Sequence, residues 1–208
     1  MSTRKTILTG LVLAFALTGM LNGLTHLSEL GQQAPPTSPA AGAKPAWVDA
    51  HFAAHVGTWV ADNTAFRSEA EPFDAYAIDW NWGIGRQSLV GRLYAMAAGR
   101  DVGTHWELRE FWHPGERRLV AAQFGADGRY GVGPHLRRPD GSMDMVQTFY
   151  DAAGRVTRNG HESLREGDVL ITRSFDVAAD GTRTPRRTYT WKRKQRAGLA
   201  TLRERHQP

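Results

Sequence analysis

His51 and His55 stand four residues apart, with Trp47 four before them. On a helix that spacing places both imidazoles on one face, the way helices present zinc ligands. No third ligand is evident in the sequence, so neither a metal nor a cofactor is expected. A second group, Asp79, His105, Glu107 and Arg109, supplies the candidates for a polar pocket, because a carboxylate beside a cation can act as acid or base when burial shifts its proton affinity. His105, Glu107 and Arg109 alternate along one segment, which also fits a solvated outer wall. No catalytic residue is assigned. Cysteine is absent, which removes disulfides, thiolate metal sites, cysteine nucleophiles and the lipid-bearing cysteine of bacterial lipoproteins. No serine nucleophile elbow, phosphate-cradling glycine loop, zinc-protease pattern or calcium loop occurs. Gly83, Gly85 and Arg86 fall in a turn between strands, so they do not form a dinucleotide fingerprint.

Aromatic residues form the third group. Tyr76, Trp80, Trp82, Tyr94, Trp106, Trp112 and Phe149 all fall on expected strands. Aromatic walls with a few polar groups make usable pockets. These seven are the candidate ligand-binding residues, and the expected partner is a small apolar or amphiphilic molecule. The alternative is that they fill a core.

The elements that must position these groups are mostly extended. Pro45 suits the start of a helix, and Val48, Phe52 and Val56 then fall four apart on one apolar face, which predicts a short helix lying as a lid beside the barrel. From Gly57 the period becomes two. Tyr76, Ile78, Trp80, Trp82 and Ile84 oppose Ala75, Ala77, Asp79, Asn81 and Gly83; Trp106, Leu108, Glu110 and Trp112 oppose His105, Glu107, Arg109 and Phe111. Glycines at 115, 128, 141, 154, 167 and 181 recur at steps of 13, 13, 13, 13 and 14, one strand plus one turn each time. Asp127, Asp140 and Asp180 directly precede three of them, the chemistry of tight hairpin turns. No helical crossover fits between these turns, so neighbouring strands pair antiparallel in order. The expected fold is mainly β, an up-and-down meander closing into an 8 to 10-stranded barrel, because closure removes exposed edges. Asn159 and Gly160 interrupt the scheme and predict a bulge or an extra turn.

The flanks differ from this body. Arg4 and Lys5 precede an uncharged stretch from Thr6 to Thr25, which reads as an export signal or, at roughly 20 residues, as a membrane anchor. The expected organisation is a signal peptide or N-terminal anchor over 1–31, a flexible Pro/Ala linker over 32–44, a barrel domain over 45–196 and a basic tail over 197–208. The protein is expected outside the cytoplasm, periplasmic or anchored to the inner membrane through residues 6–25. Of the formal charge of +5 among 208 residues, much lies late: nine basic residues against one acidic between Arg183 and Arg205. Such a run reads as a solvated last strand and tail, or alternatively as a patch for an anionic membrane surface. No nucleic-acid motif is present, and no nucleic-acid partner is expected.

Gly57, Thr58 and Trp59, just after the expected helix, resemble the Gly-x-Trp of lipocalins and their calycin relatives. The stretch from Val56 to Arg193 is similar to uncharacterised bacterial lipocalin-like exported proteins, with Trp80-Asn81-Trp82-Gly83 in the second strand and an Asp-Gly-rich meander later. The resemblance implies that Trp59 plugs the closed end of the barrel and that a basic residue near the last strand, Lys192 or Arg193, packs across it. The chain lacks the disulfides and second signature of secreted lipocalins, so their retinoid or lipid ligands are not carried over. It also lacks the glycine-rich continuation of haem-binding nitrobindin-like barrels.

Overall fold

The computed structural model describes residues 42–194. The expected export segment, most of the expected linker and the basic tail lie outside the described residues. Helix α1 (Ala46–His55) leads into strands β1 (Gly57–Asp62), β2 (Ala75–Trp82), β3 (Ser88–Ala97), β4 (Arg100–His113) and β5 (Arg118–Gly125). β6 (Tyr130–Arg137), β7 (Met143–Tyr150), β8 (Val156–Glu166), β9 (Val169–Val177) and β10 (Arg183–Arg193) follow. Each strand pairs antiparallel with its predecessor, and β10 returns to β1 with Trp59 opposite Arg193, which closes a ten-stranded barrel. The topology is compatible with a lipocalin-like fold.

Turn chemistry explains the meander. Asp127, Asp140 and Asp180 accept hydrogen bonds from the backbone N–H two residues on, at 3.1, 2.9 and 2.9 Å. The glycine after each aspartate takes positive φ, which tightens the reversal. Gly115 is an exception: in that hairpin Arg117 adopts the left-handed conformation, with φ 51°.

Alternation sends one side chain of each pair inward. Three inward aromatic rings lie over glycines directly opposite them on the neighbouring strand: Trp80 over Gly91, Trp106 over Gly125 and Phe149 over Gly131. A Cβ on Gly91 or Gly131 would come within 2.6 or 2.4 Å of the facing ring, so glycine there makes room for an aromatic to lie flat against the wall. Asn159 and Gly160 mark neither a bulge nor an extra turn. β8 runs through both in unbroken register with β7 and β9. The glycine is needed because a Cβ would stand 1.9 Å from the carbonyl oxygen of Met145. The irregularities fall instead between Leu93 and Tyr94, between Ala95 and Met96, and between Pro185 and Thr188.

The main core sits at the end covered by α1. Val48 and Phe52 pack there with Trp59, Leu89, Leu119, Met143, Leu170 and Trp191. α1 is thus the floor of the barrel, and the segment between β1 and β2 borders the opposite end.

Candidate functional site

The floor is held from both sides. Phe52 meets Trp82 edge to face at 6.1 Å, and Trp47 meets Trp112 at 6.4 Å. The Trp112 Nε1–H donates to the Gly42 carbonyl at 2.9 Å, which ties the last linker residues to the barrel end. Trp59, 1% exposed, donates its Nε1–H to the His55 carbonyl at 2.7 Å. The Arg193 guanidinium lies 4.3 Å from the Trp59 ring and donates to the carbonyls of Ala54 and Val56, so one cation covers the indole and caps the end of α1. Gly57 carries φ 127°, and a Cβ there would approach the same guanidinium at 2.9 Å. The glycine and the tryptophan of Gly-x-Trp therefore serve one contact.

Above this floor, α1, β4 and β6 bring three polar side chains together inside the barrel. His51 Nε2–H donates to Glu110 Oε2 at 2.8 Å. His135 Nδ1 approaches Glu110 Oε1 at 3.3 Å, but off the line of a hydrogen bond, so both ring nitrogens of His135 lack a hydrogen-bond partner. The side chains of His51, Glu110 and His135 are only 8, 7 and 3% exposed. One ligand atom from each lies within 4.8 Å of the others. Burial pushes the Glu110 carboxyl up, yet His135 and His51 beside it outweigh that and hold it well below the usual carboxylate range. A buried carboxylate of this kind requires compensating positive charge, either a proton carried on the imidazoles or a metal ion.

Two further histidines flank the group. His55 packs its ring 4.2 Å from that of His51 and donates Nδ1–H to the His51 carbonyl at 2.8 Å. His161 reaches in from β8, with its ring 6.2 Å from that of His135. Burial first, then neighbouring imidazoles, pushes His55 down to about 3 and His161 down to about 4.

The cluster borders a cavity of about 230 Å³ in the lumen. Its apolar wall includes Ile78, Trp80, Leu93, Leu108, Met145 and Trp191, and its polar wall includes Glu110, His135, His161, Ser163 and Tyr189. A second cavity, of about 200 Å³, lies beside α1 against His51; His55, Ser163 and Leu170 border both.

The seven aromatics singled out from the sequence do not converge. Trp80 lines the lumen cavity; Trp82 and Trp112 belong to the floor, and Trp106 and Phe149 pack edge to face at 5.7 Å. Tyr76 sits at the opposite end, while Tyr94 is on the outer wall beside Asp79 and under Arg92. Asp79 also accepts from Thr58 at 2.7 Å on that outer wall. Glu107 lines a shallow outer groove with Asp79, and Arg109, itself exposed, borders both that groove and the lumen. His105 lies at the β4 bulge, where its ring meets Phe73 at 5.2 Å and Tyr76 at 5.8 Å.

That far end carries its own polar group. Arg187 donates Nη1–H to Glu71 Oε1 at 2.9 Å and to the Tyr189 hydroxyl at 3.2 Å, and its Nη2 forms an ion pair 2.8 Å from Glu71 Oε2. The Tyr76 hydroxyl donates to Glu71 at 2.6 Å and that of Tyr189 to Asn63 at 2.9 Å. The bonded Arg187 guanidinium holds the Glu71 carboxyl below its ordinary range.

No protein-family model, curated protein or solved structure matches the chain. The site is therefore read from its own geometry. Sequence reasoning found the His51 and His55 pair but not Glu110 and His135. One signal was present: Glu110 is the single carboxylate on the otherwise apolar face of Trp106, Leu108 and Trp112. Nothing comparable singles out His135, because Gly131, Gly133 and Pro134 break the alternation before it.

Proposed function

We propose that this protein is an exported binding protein that holds a small apolar or amphiphilic molecule inside its barrel. The observation that carries this reading is the lumen cavity, with its aromatic and aliphatic wall on one side and Glu110, His135, His161 and Ser163 on the other. At about 230 Å³ it is smaller than the roughly 300–1,000 Å³ of drug-sized pockets, so the ligand is compact. The basic start and uncharged stretch from Thr6 to Thr25 support export, and the Gly57–Trp59 motif under Arg193 supports kinship with lipocalin-like exported proteins.

The experiment is native mass spectrometry of protein purified without detergent, joined to tryptophan quenching by a panel of short-chain fatty acids and small aromatic compounds. A retained adduct or saturable quenching is expected, lost in Leu93→Trp, which fills the cavity. Absence of both adduct and saturable quenching across the panel rejects the carrier role.

A second reading, an envelope-anchored interaction domain, is favoured by the excess of nine basic residues over one acidic between Arg183 and Arg205. Membrane retention that disappears on deleting residues 1–30 and survives Leu93→Trp would favour it.

A further inference from the structure

We infer that His51, Glu110 and His135 form a binding site for one divalent first-row transition-metal ion on the floor of the barrel. Two imidazoles and one carboxylate are the donors that suit zinc and its neighbours. Donors each roughly 2.1 Å from such an ion stand about 3.0–3.4 Å apart. His51 Nε2 stands 2.8 Å from Glu110 Oε2 and His135 Nδ1 3.3 Å from Glu110 Oε1, and one ligand atom from each residue lies within 4.8 Å of the others, so side-chain adjustment on the order of 1 Å gathers the three around an ion. The three donors come from α1, β4 and β6, elements fixed by the floor packing and the closed sheet, so the site is built on rigid supports.

His135 is the independent observation. Its ring is 3% exposed and neither nitrogen has a hydrogen-bond partner. Buried polar atoms are nearly always paired, and one left unpaired is costly. An imidazole kept in that state on the lumen side of a carboxylate has a lone pair to give. Around it the His55 ring packs 4.2 Å from that of His51, and the His161 ring lies 6.2 Å from that of His135, so further imidazoles enclose the site. The cavity beside α1 offers an ion a path to His51, and Glu110 and His135 also line the lumen, where a bound molecule would meet it.

The test uses the untagged full chain, stripped with a chelator and titrated with Zn²⁺ against a chromophoric competitor. One Zn²⁺ per chain is expected. His51→Ala, Glu110→Gln and His135→Ala should each weaken binding by more than the roughly 10–100-fold that loss of an outer partner costs. His113→Ala, at the surface beside Glu116, should bind as the wild type does. Co²⁺ substitution gives a readout independent of stability: the wild type should show visible bands of low-coordinate Co²⁺, altered in every ligand variant that keeps its far-ultraviolet spectrum. Should a variant not fold, His135→Gln takes its place in the series. If the stripped wild type takes up no Zn²⁺ at micromolar concentration, or if folded ligand variants bind it unchanged, the assignment is overturned. Leu93→Trp, which abolishes lumen binding, should leave Zn²⁺ uptake intact, so failure of the carrier reading and failure of this site are distinguishable.

Discussion

Both ends of the barrel hold a carboxylate among hydrogen-bonding side chains, but only one end satisfies its members. At the far end, Glu71 accepts hydrogen bonds from Arg187 and Tyr76, with a second Arg187 nitrogen 2.8 Å from its other oxygen, and Tyr189 continues to Asn63. On the floor, Glu110 has one aligned hydrogen bond, from His51, while His135 keeps both nitrogens unpaired. A saturated network fastens the loop between β1 and β2 to β10. An unsaturated one, buried more deeply, has bonding capacity left for something else. The contrast separates polar groups that brace a fold from polar groups set to receive a guest.

The largest effect should come from removing what the floor rests on. Trp59→Ala deletes a fully buried indole together with its bond to His55 and the surface under Arg193. A loss of about 3–5 kcal/mol is expected in urea unfolding. A loss below about 1 kcal/mol would mean that α1 does not depend on that plug.

Acid should separate the two ends next. Unfolded histidines take up protons near 6.5, whereas His55 and His161 in the folded metal-free protein do so only at about 3 and about 4. The unfolded chain therefore gains protons first. Stability is complete above pH 6.5 and falls below it by on the order of 1.4 kcal/mol per pH unit for each histidine, until the folded values are reached. Glu71, held down by Arg187, adds stability that is lost only as pH falls from its ordinary 4.5 toward its lower folded value. Hydrogen exchange at pH 5 should show α1 and the stretch of β8 around His161 loosening while the Glu71 end stays protected. Uniform loosening would contradict the distinction.

The smallest effects make the sharpest comparison. Arg187→Met should cost about 1–2 kcal/mol, since it strands Glu71 at a partly exposed site where water screens the loss. His135→Leu in the metal-free protein should cost about 1–2 kcal/mol, because it ends an unpaired imidazole but removes the neighbour that most holds the buried Glu110 carboxyl down. Added Zn²⁺ should then raise the urea midpoint of the wild type and not that of His135→Leu.

The fold was legible because two regular signals coincide. Alternation in β2 and β4 and the evenly spaced turn glycines each specify a meander, and both are local. The site was only half legible. His51 and His55 announce a shared helical face, and Glu110 stands out on an apolar stripe, but their meeting depends on closure of the ring. Register places β4 and β6 beneath α1, and that is a property of the whole sheet rather than of any segment. The scatter of the aromatics has a related cause. Trp80 lines the lumen while Trp106 and Phe149 pack on each other; each faces a glycine across the pair, and no rule of spacing along one strand reveals which residue lies opposite.

The seam between the first and last strands sets how the molecule must assemble. Arg193 reaches back across 137 residues to the Val56 carbonyl, and Trp191 and Lys192 pair with Ala61 and Val60. During vectorial synthesis the ring cannot shut until its final strand has emerged, so the chain passes through a long open stage with both lateral borders unpaired. Such non-local closure makes for slow maturation. A polypeptide threaded through a translocation pore before folding would gain from that delay.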